Sequence, residues 1–162
     1  MSCLIRRAKI ADAAQASEIV RRSIQELCIK DHKDDPSTLL QWLENKTPRN
    51  FEHWIQSGEH IALVAERDRA IVGFALMNRA GSISLLYVAP EARFSGISKE
   101  LLSALEVEAV DSGLTALELE STVTALQFYQ SAGYSPRGSS TSGFGVTSCY
   151  PMSRALNDAH KK

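Results

Sequence analysis

The spacing of apolar positions along this chain changes character partway, and each regime predicts its own elements. Residues 3–8 open as a short strand, after which Asp12 stands where a helix N-cap belongs. Ala13, Ala16, Ile19, Val20, Ile24 and Leu27 then recur every three or four residues, the apolar stripe of an amphipathic helix. The polar run 31–36, ending in Pro36, reads as a loop. A second helix carrying Leu39, Leu40 and Leu43 follows, starting after Asp35 or Ser37. Thr47 and Pro48 pair a capping hydroxyl with a proline at the first helical position, which predicts a short helix through Phe51, Trp54 and Ile55.

From His60 the period shortens. Residues 60–66 and 70–77 predict an antiparallel hairpin around the charged turn Arg67-Asp68-Arg69. Ala80-Gly81 turns the chain into a third strand, 82–88, where Ile83, Leu85 and Tyr87 alternate with Ser82, Ser84 and Leu86. After an irregular stretch, Ile97, Leu101, Leu105 and Ala109 mark a helix to Asp111, stopped at Gly113. A strand at 114–120, a helix at 124–132 ended by Gly133, and a last strand at 143–152 complete the order. This mixture predicts an α/β (α+β) architecture, not a helix bundle or an all-β barrel.

Composition narrows the class. The 162 residues, 44% hydrophobic and 23% charged, suffice for one domain over 1–162 with a real core, and nothing linker-like divides them. Eighteen basic and 19 acidic side chains leave a net charge of −1, so no broad cationic surface is available for nucleic acid. Three widely spaced cysteines predict no disulfide framework. The N-terminus goes apolar for only two residues, Leu4 and Ile5, before Arg6-Arg7, and no apolar run approaches the roughly 18 residues of a membrane helix. A cytoplasmic protein without membrane contact is therefore expected.

The chemistry concentrates at 85–105, a strand, short turn and helix. A helix N-terminus offers unpaired N–H groups and partial positive charge to a phosphate. Gly96 and Ser98 keep that approach open, and Arg93 and Lys99 add fixed charge. The chain has neither the GxxxxGK[ST] nor the GxGxxG pattern.

The pattern Arg-x-x-Gly-x-Ser at 93–98, preceded by Leu86-Tyr87-Val88-Ala89-Pro90-Glu91, resembles the acyl-CoA pyrophosphate motif of the GNAT superfamily of N-acetyltransferases, with Ser98 where glycine or alanine is usual. A second match is the run 125–134, similar to the family's late helix, in which a tyrosine precedes a terminal Gly-aromatic pair; 121–125 resembles a bacterial branch of the family. The resemblance spans essentially the whole chain. It implies a mixed, mostly antiparallel sheet with a V-shaped opening between strands 82–88 and 114–120, flanked by helices. It also implies acetyl-CoA as co-substrate and direct acetyl transfer to the amine of a small molecule or protein.

Residue by residue, the resemblance implies that the backbone of Leu86, Tyr87 and Val88 splays from the next strand to hold the pantetheine arm. Phe94, Ser95, Gly96, Ile97, Ser98 and Lys99 would hold the pyrophosphate, beside Arg93. Tyr129 would protonate the departing thiolate, its phenol retaining its proton at neutral pH. Thr122 takes a position where many members carry an asparagine that contacts the cofactor arm. Homodimers are common in the family, and the last strand offers a surface for one.

The group that deprotonates the amine is left open. The strand 82–88 has no carboxylate; Glu118 and Glu120 share one face of the next strand, and His60, Asp31 and Asp35 are further candidates. That glutamate pair also reads as an ordinary solvated face. Asp31, Asp34 and Asp35 read as an exposed acidic loop, with attraction of a cationic amine as the alternative. Cys28 and His32 have helical ligand spacing but too few companions for a metal, so none is expected. Cys149 reads as a buried structural thiol, Trp42, Trp54 and Phe51 as packing residues, and 157–162 as a frayed end. Acceptor contacts are expected from 25–51 and 138–144. The missing strand carboxylate and Thr122 keep a non-catalytic acyl-CoA-binding or sensor module as the competing function.

Overall fold

The computed structural model describes residues 3–143 and 147–156. Its elements are β1 (Leu4–Arg7), α1 (Ala13–Leu27), α2 (Ile29–His32), α3 (Pro36–Leu43), α4 (Pro48–Gln56), β2 (His60–Arg67), β3 (Ala70–Asn78), β4 (Ser82–Val88), α5 (Ile97–Asp111), β5 (Ala116–Ser121), α6 (Leu126–Ser131), β6 (Ser135–Pro136), β7 (Thr141–Gly143) and β8 (Thr147–Ala155). The sheet runs β1-β2-β3-β4-β5-β8-β6, with β7 on β8. Every pairing is antiparallel except β4 with β5.

The hydrophobic pattern explains the layering. Ile71 to Met77 of β3 are buried without alternation, because α1 and α5 both pack against that strand. Gly73 makes the α5 contact possible, since a Cβ there would stand 2.8 Å from Leu101 Cδ1 and 3.3 Å from Ile97 Cγ2. On β5 burial alternates, with Leu117, Leu119 and Ser121 buried and Glu118 and Glu120 exposed. Phe51 anchors α4 with its ring 4.9 Å from that of Phe74.

The sheet divides at β4. Only Ser82 and Ile83 pair with β5, opposite Glu118 and Leu119. On the other side Leu85 pairs with Leu76 and Ile83 with Met77, so Ser84 is an extra residue in the ladder. A bulge of this kind raises local twist and re-aims the strand. Beyond it β4 leaves β5, which opens the V and exposes one backbone edge of Ser84 to Val88.

Several boundaries differ from expectation for identifiable reasons. Asp12 does not cap α1 with its side chain; it accepts from Arg6 Nη1 at 2.8 Å and Nη2 at 3.0 Å and from Lys9 N–H at 2.7 Å within a 3₁₀ turn. The stretch 31–36 is not a plain loop: it begins inside α2, and Asp31 and His32 are buried. The His32 ring accepts from Asp34 N–H and hydrogen-bonds the Ile24 carbonyl, both at 2.9 Å, so polar partners inside the fold hold a polar segment there. Asp35, rather than Ser37, caps α3 through Thr38 N–H at 2.9 Å. The late helix begins at Leu126 because Thr124 is held elsewhere, and the last strand runs to Ala155. Phe144 and the tail 157–162 lie outside the described residues. Among the described residues no helix is long and apolar enough to cross a membrane.

Candidate active site

A cleft of about 340 Å³ occupies one side of the V. Leu86, Tyr87 and Val88 form its floor, the turn and first helical residues from Arg93 to Lys99 one end, and Thr122 and Tyr129 the far wall. α1 contributes Ser23 and Leu27 opposite. Of the expected cofactor residues only Ser95 is absent from the lining; its hydroxyl donates to the Ala92 carbonyl and closes the turn instead.

The turn before α5 is shaped for an anion. Phe94 and Gly96 adopt φ of +63° and +82°, and backbone alternating into the left-handed region gathers N–H groups into a concavity. Glu100 N–H is bonded to the Gly96 carbonyl, so Ile97, Ser98 and Lys99 are the first-turn residues whose N–H groups precede the intrahelical ladder. Arg93 and Lys99 are exposed, and among the described residues neither has a carboxylate within ion-pair distance. The Phe94 ring is almost fully exposed and lies 5.1 Å from the Arg93 guanidinium carbon.

Tyr129 is buried, and that burial pushes its phenol well above the ordinary tyrosine range. Its ring packs edge-on to Tyr134 at 5.7 Å, and its carbonyl accepts Tyr134 N–H at 3.0 Å. The α6 N-terminus is fixed by Thr122, whose hydroxyl oxygen accepts Ala125 N–H at 3.1 Å. Asp31 completes this support, accepting from Val123 N–H at 2.7 Å and from both the N–H and hydroxyl of Thr124. Asp31 is therefore neither an exposed acidic lure nor free to serve as a base. Asp35 is likewise occupied by Thr38, and the acidic-loop reading fails for Asp31.

Across β4 lies a second cavity of about 540 Å³, bounded by Trp42, Lys46, Trp54, His60, Ser84 and Tyr87 among others. Between the cavities a crevice of about 40 Å³ runs along the split from Ser84 to Thr122, bordered by Glu120 and Tyr129. Tyr87 lines all three. Desolvation raises its phenol well above the usual value.

Glu118 is half exposed and lies 3.7 Å from Arg137, as a solvated strand face would have it. Cys28 lines the first cleft, but burial pushes its thiol up to about 12, leaving it inert. Cys149 is buried in β8. Two residues that matter here had no local signal: Lys46, in an ordinary polar turn, and Ser84, whose bulge exists only in the pairing.

Residues 28–156, most of the chain, match the family model described as an acetyltransferase (GNAT) domain. The chain belongs to the GNAT acetyltransferase family. Among characterised relatives, the IAA acetyltransferase of Azospirillum brasilense is 34% identical over 84 residues, 47% of this chain and 55% of that protein, so the match spans about half the relative's length. A GCN5-related N-acetyltransferase from Rhodopseudomonas palustris superposes with a TM-score of 0.85 at 23% identity, covering 96% of this chain and 97% of that one. The PaiA N-acetyltransferase of Thermoplasma acidophilum, solved with coenzyme A, gives 0.82 at 22% identity over 96% and 99%. YncA of Salmonella typhimurium, solved with acetyl-CoA, gives 0.74 at 20% over 98% and 96%. At these identities the structural likeness is one of fold.

Proposed function

We propose that this protein transfers the acetyl group of acetyl-CoA to a primary amine by direct attack, with both substrates bound together. The observation that carries the reading is the split after Ile83, which joins a cleft suited to an acyl-CoA to a separate polar cavity through one crevice. The residues present fit the co-substrate: unpaired helix N–H groups with Arg93 and Lys99 suit a pyrophosphate, and the free edge of Leu86 to Val88 suits an amide-bearing arm lying as an added strand. Leu27, Ala92 and Phe128 supply apolar walls. Bound there, acetyl-CoA supplies an activated thioester carbonyl.

The chain's own residues then have three tasks: to orient the two substrates, to offer donors where negative charge develops, and to manage two protons. The β4 edge orients and can donate backbone N–H groups. Tyr129, in the cleft wall, keeps its proton at neutral pH as an ordinary phenol does and gives it to the departing sulfur. Glu120, the carboxylate bordering the crevice, takes the amine's proton through water. The absence of a carboxylate from β4 itself favours a second reading, a non-catalytic acyl-CoA-binding module. Mixing the protein with acetyl-CoA and a panel of amines, while following free thiol, separates the two. Thiol release that depends on an amine supports the enzyme; acyl-CoA binding without turnover on any amine supports the module.

A further inference from the structure

The cavity on the acceptor side contains a charge that the fold does not neutralise. Lys46 is 6% exposed, and its ammonium donates to the Trp42 carbonyl at 3.1 Å and to Asn45 Oδ1 at 2.6 Å. Both acceptors are neutral. Among the described residues no carboxylate lies within ion-pair distance of it. Behind the same turn, Arg21 of α1 donates to the carbonyls of Leu43 at 2.9 Å and Lys46 at 3.1 Å, also without a carboxylate partner among the described residues. Two cations thus back one wall of the cavity.

An ammonium held out of water without a counter-charge is costly, because burial strips its hydration and no opposite charge replaces it. Desolvation and the neighbouring Arg21 lower the Lys46 pKa to about 8. The carboxylate at the same cavity, Glu44, is exposed and remains solvated. An anion from outside would relieve the unpaired charge, and the Lys46 ammonium has one N–H beyond its two neutral partners. His60, whose Nδ1 is buried without a partner among the described residues, lines the same cavity and adds a polar contact.

We propose that the acceptor amine carries a carboxylate that docks on Lys46, making the substrate class an amino acid or related amino carboxylate. The inference rests on reading this cavity as the acceptor site. The test uses the CoA-loaded protein, titrated with L-amino acids and, in parallel, with their C-terminal carboxamides. Trp42 and Trp54, the chain's two tryptophans, both line the cavity, so their emission reports binding independently of turnover. At least one free acid is expected to bind about 10-fold more tightly than its carboxamide, the scale of one hydrogen bond to a charged group. Lys46→Met should erase that preference while CoA affinity is unchanged, and Lys46→Arg should keep it. Equal binding of acids and carboxamides, a preference that survives Lys46→Met, or no emission response to any acid at millimolar concentration would each overturn the proposal. Thiol release measured alongside keeps the two ideas apart. Turnover of amines lacking a carboxylate retains acetyl transfer and removes the anion site; acid binding at Lys46 without thiol release does the reverse.

Discussion

The Asp31 carboxylate holds Thr124 at two points, accepting from its backbone N–H at 3.2 Å and from its hydroxyl, although the residues are 93 positions apart. This link fastens α2 to the turn that launches α6, the helix that carries Tyr129. Asp31→Ala would leave the Val123 and Thr124 N–H groups without their acceptor. A loss of about 2 kcal/mol in unfolding free energy is expected from urea denaturation, with a smaller loss for Asp31→Asn. An unchanged midpoint for Asp31→Ala would show that the link supports nothing.

Tyr129→Phe keeps the ring that packs against Phe128 and Tyr134 and deletes only the hydroxyl. Turnover is expected to fall by about 100-fold, the lower range for a positioned general acid, while CoA affinity changes by less than about 2-fold. Steady-state kinetics beside a calorimetric CoA titration make the comparison. Matching losses in turnover and affinity would assign Tyr129 to binding alone.

Local chemistry was legible where neighbouring residues carry it. The segment 82–99 holds the strand edge, the turn and the helix start in one run, so its residues could be placed together without knowledge of the rest. The hairpin 60–78 was equally plain, although β3 shows a continuous apolar run because α1 and α5 cover both its faces. What escaped was set by distant pairing. Asp31 lies in a polar run whose hydrogen-bond partners are about 90 residues away, so it read as exposed. Lys46 sits among Glu44, Asn45 and Thr47, a sequence that reads as a surface turn until Arg21 and Trp42 enclose it. The Ser84 bulge, which starts the split, follows from register against β3 and leaves no mark in β4 alone.

The turn before α5 makes a separable prediction. Gly96 is left-handed, but a Cβ there meets nothing within 4 Å, so Gly96→Ala acts through the backbone dihedral rather than through crowding. Strain of about 1 kcal/mol should displace the first-turn N–H groups and weaken CoA binding. Arg93→Gln and Lys99→Gln should each weaken CoA by about 3-fold at low salt and by less at high salt, as expected for exposed charges. CoA titrations at two ionic strengths test this; salt-independent losses would mean that the side chains act by shape.

The Arg6–Asp12 ion pair should leave a signature on the acid limb of stability. The Arg6 guanidinium, aided by the Lys9 N–H, holds the Asp12 carboxyl below the usual carboxylate range despite its partial burial. Because the folded-state value lies below the unfolded one, the pair stabilises the fold above the unfolded carboxyl value of about 3.9, and the contribution disappears as pH falls through the folded value. Asp12→Asn is therefore expected to cost about 2 kcal/mol near neutrality and much less at about pH 2. Urea unfolding of both proteins at the two pH values decides it; a difference independent of pH would place the loss in packing.

The most direct test follows the acetyl group itself. Protein is incubated with acetyl-CoA carrying an isotopic label in its acetyl group, together with amino acids and simple amines, and the label is located by mass spectrometry of small molecules and of the intact protein. Direct transfer across the crevice predicts label on an amine nitrogen in equal amount to the thiol released, with none on the protein. Label bound to the protein, or appearing only as free acetate, would contradict it.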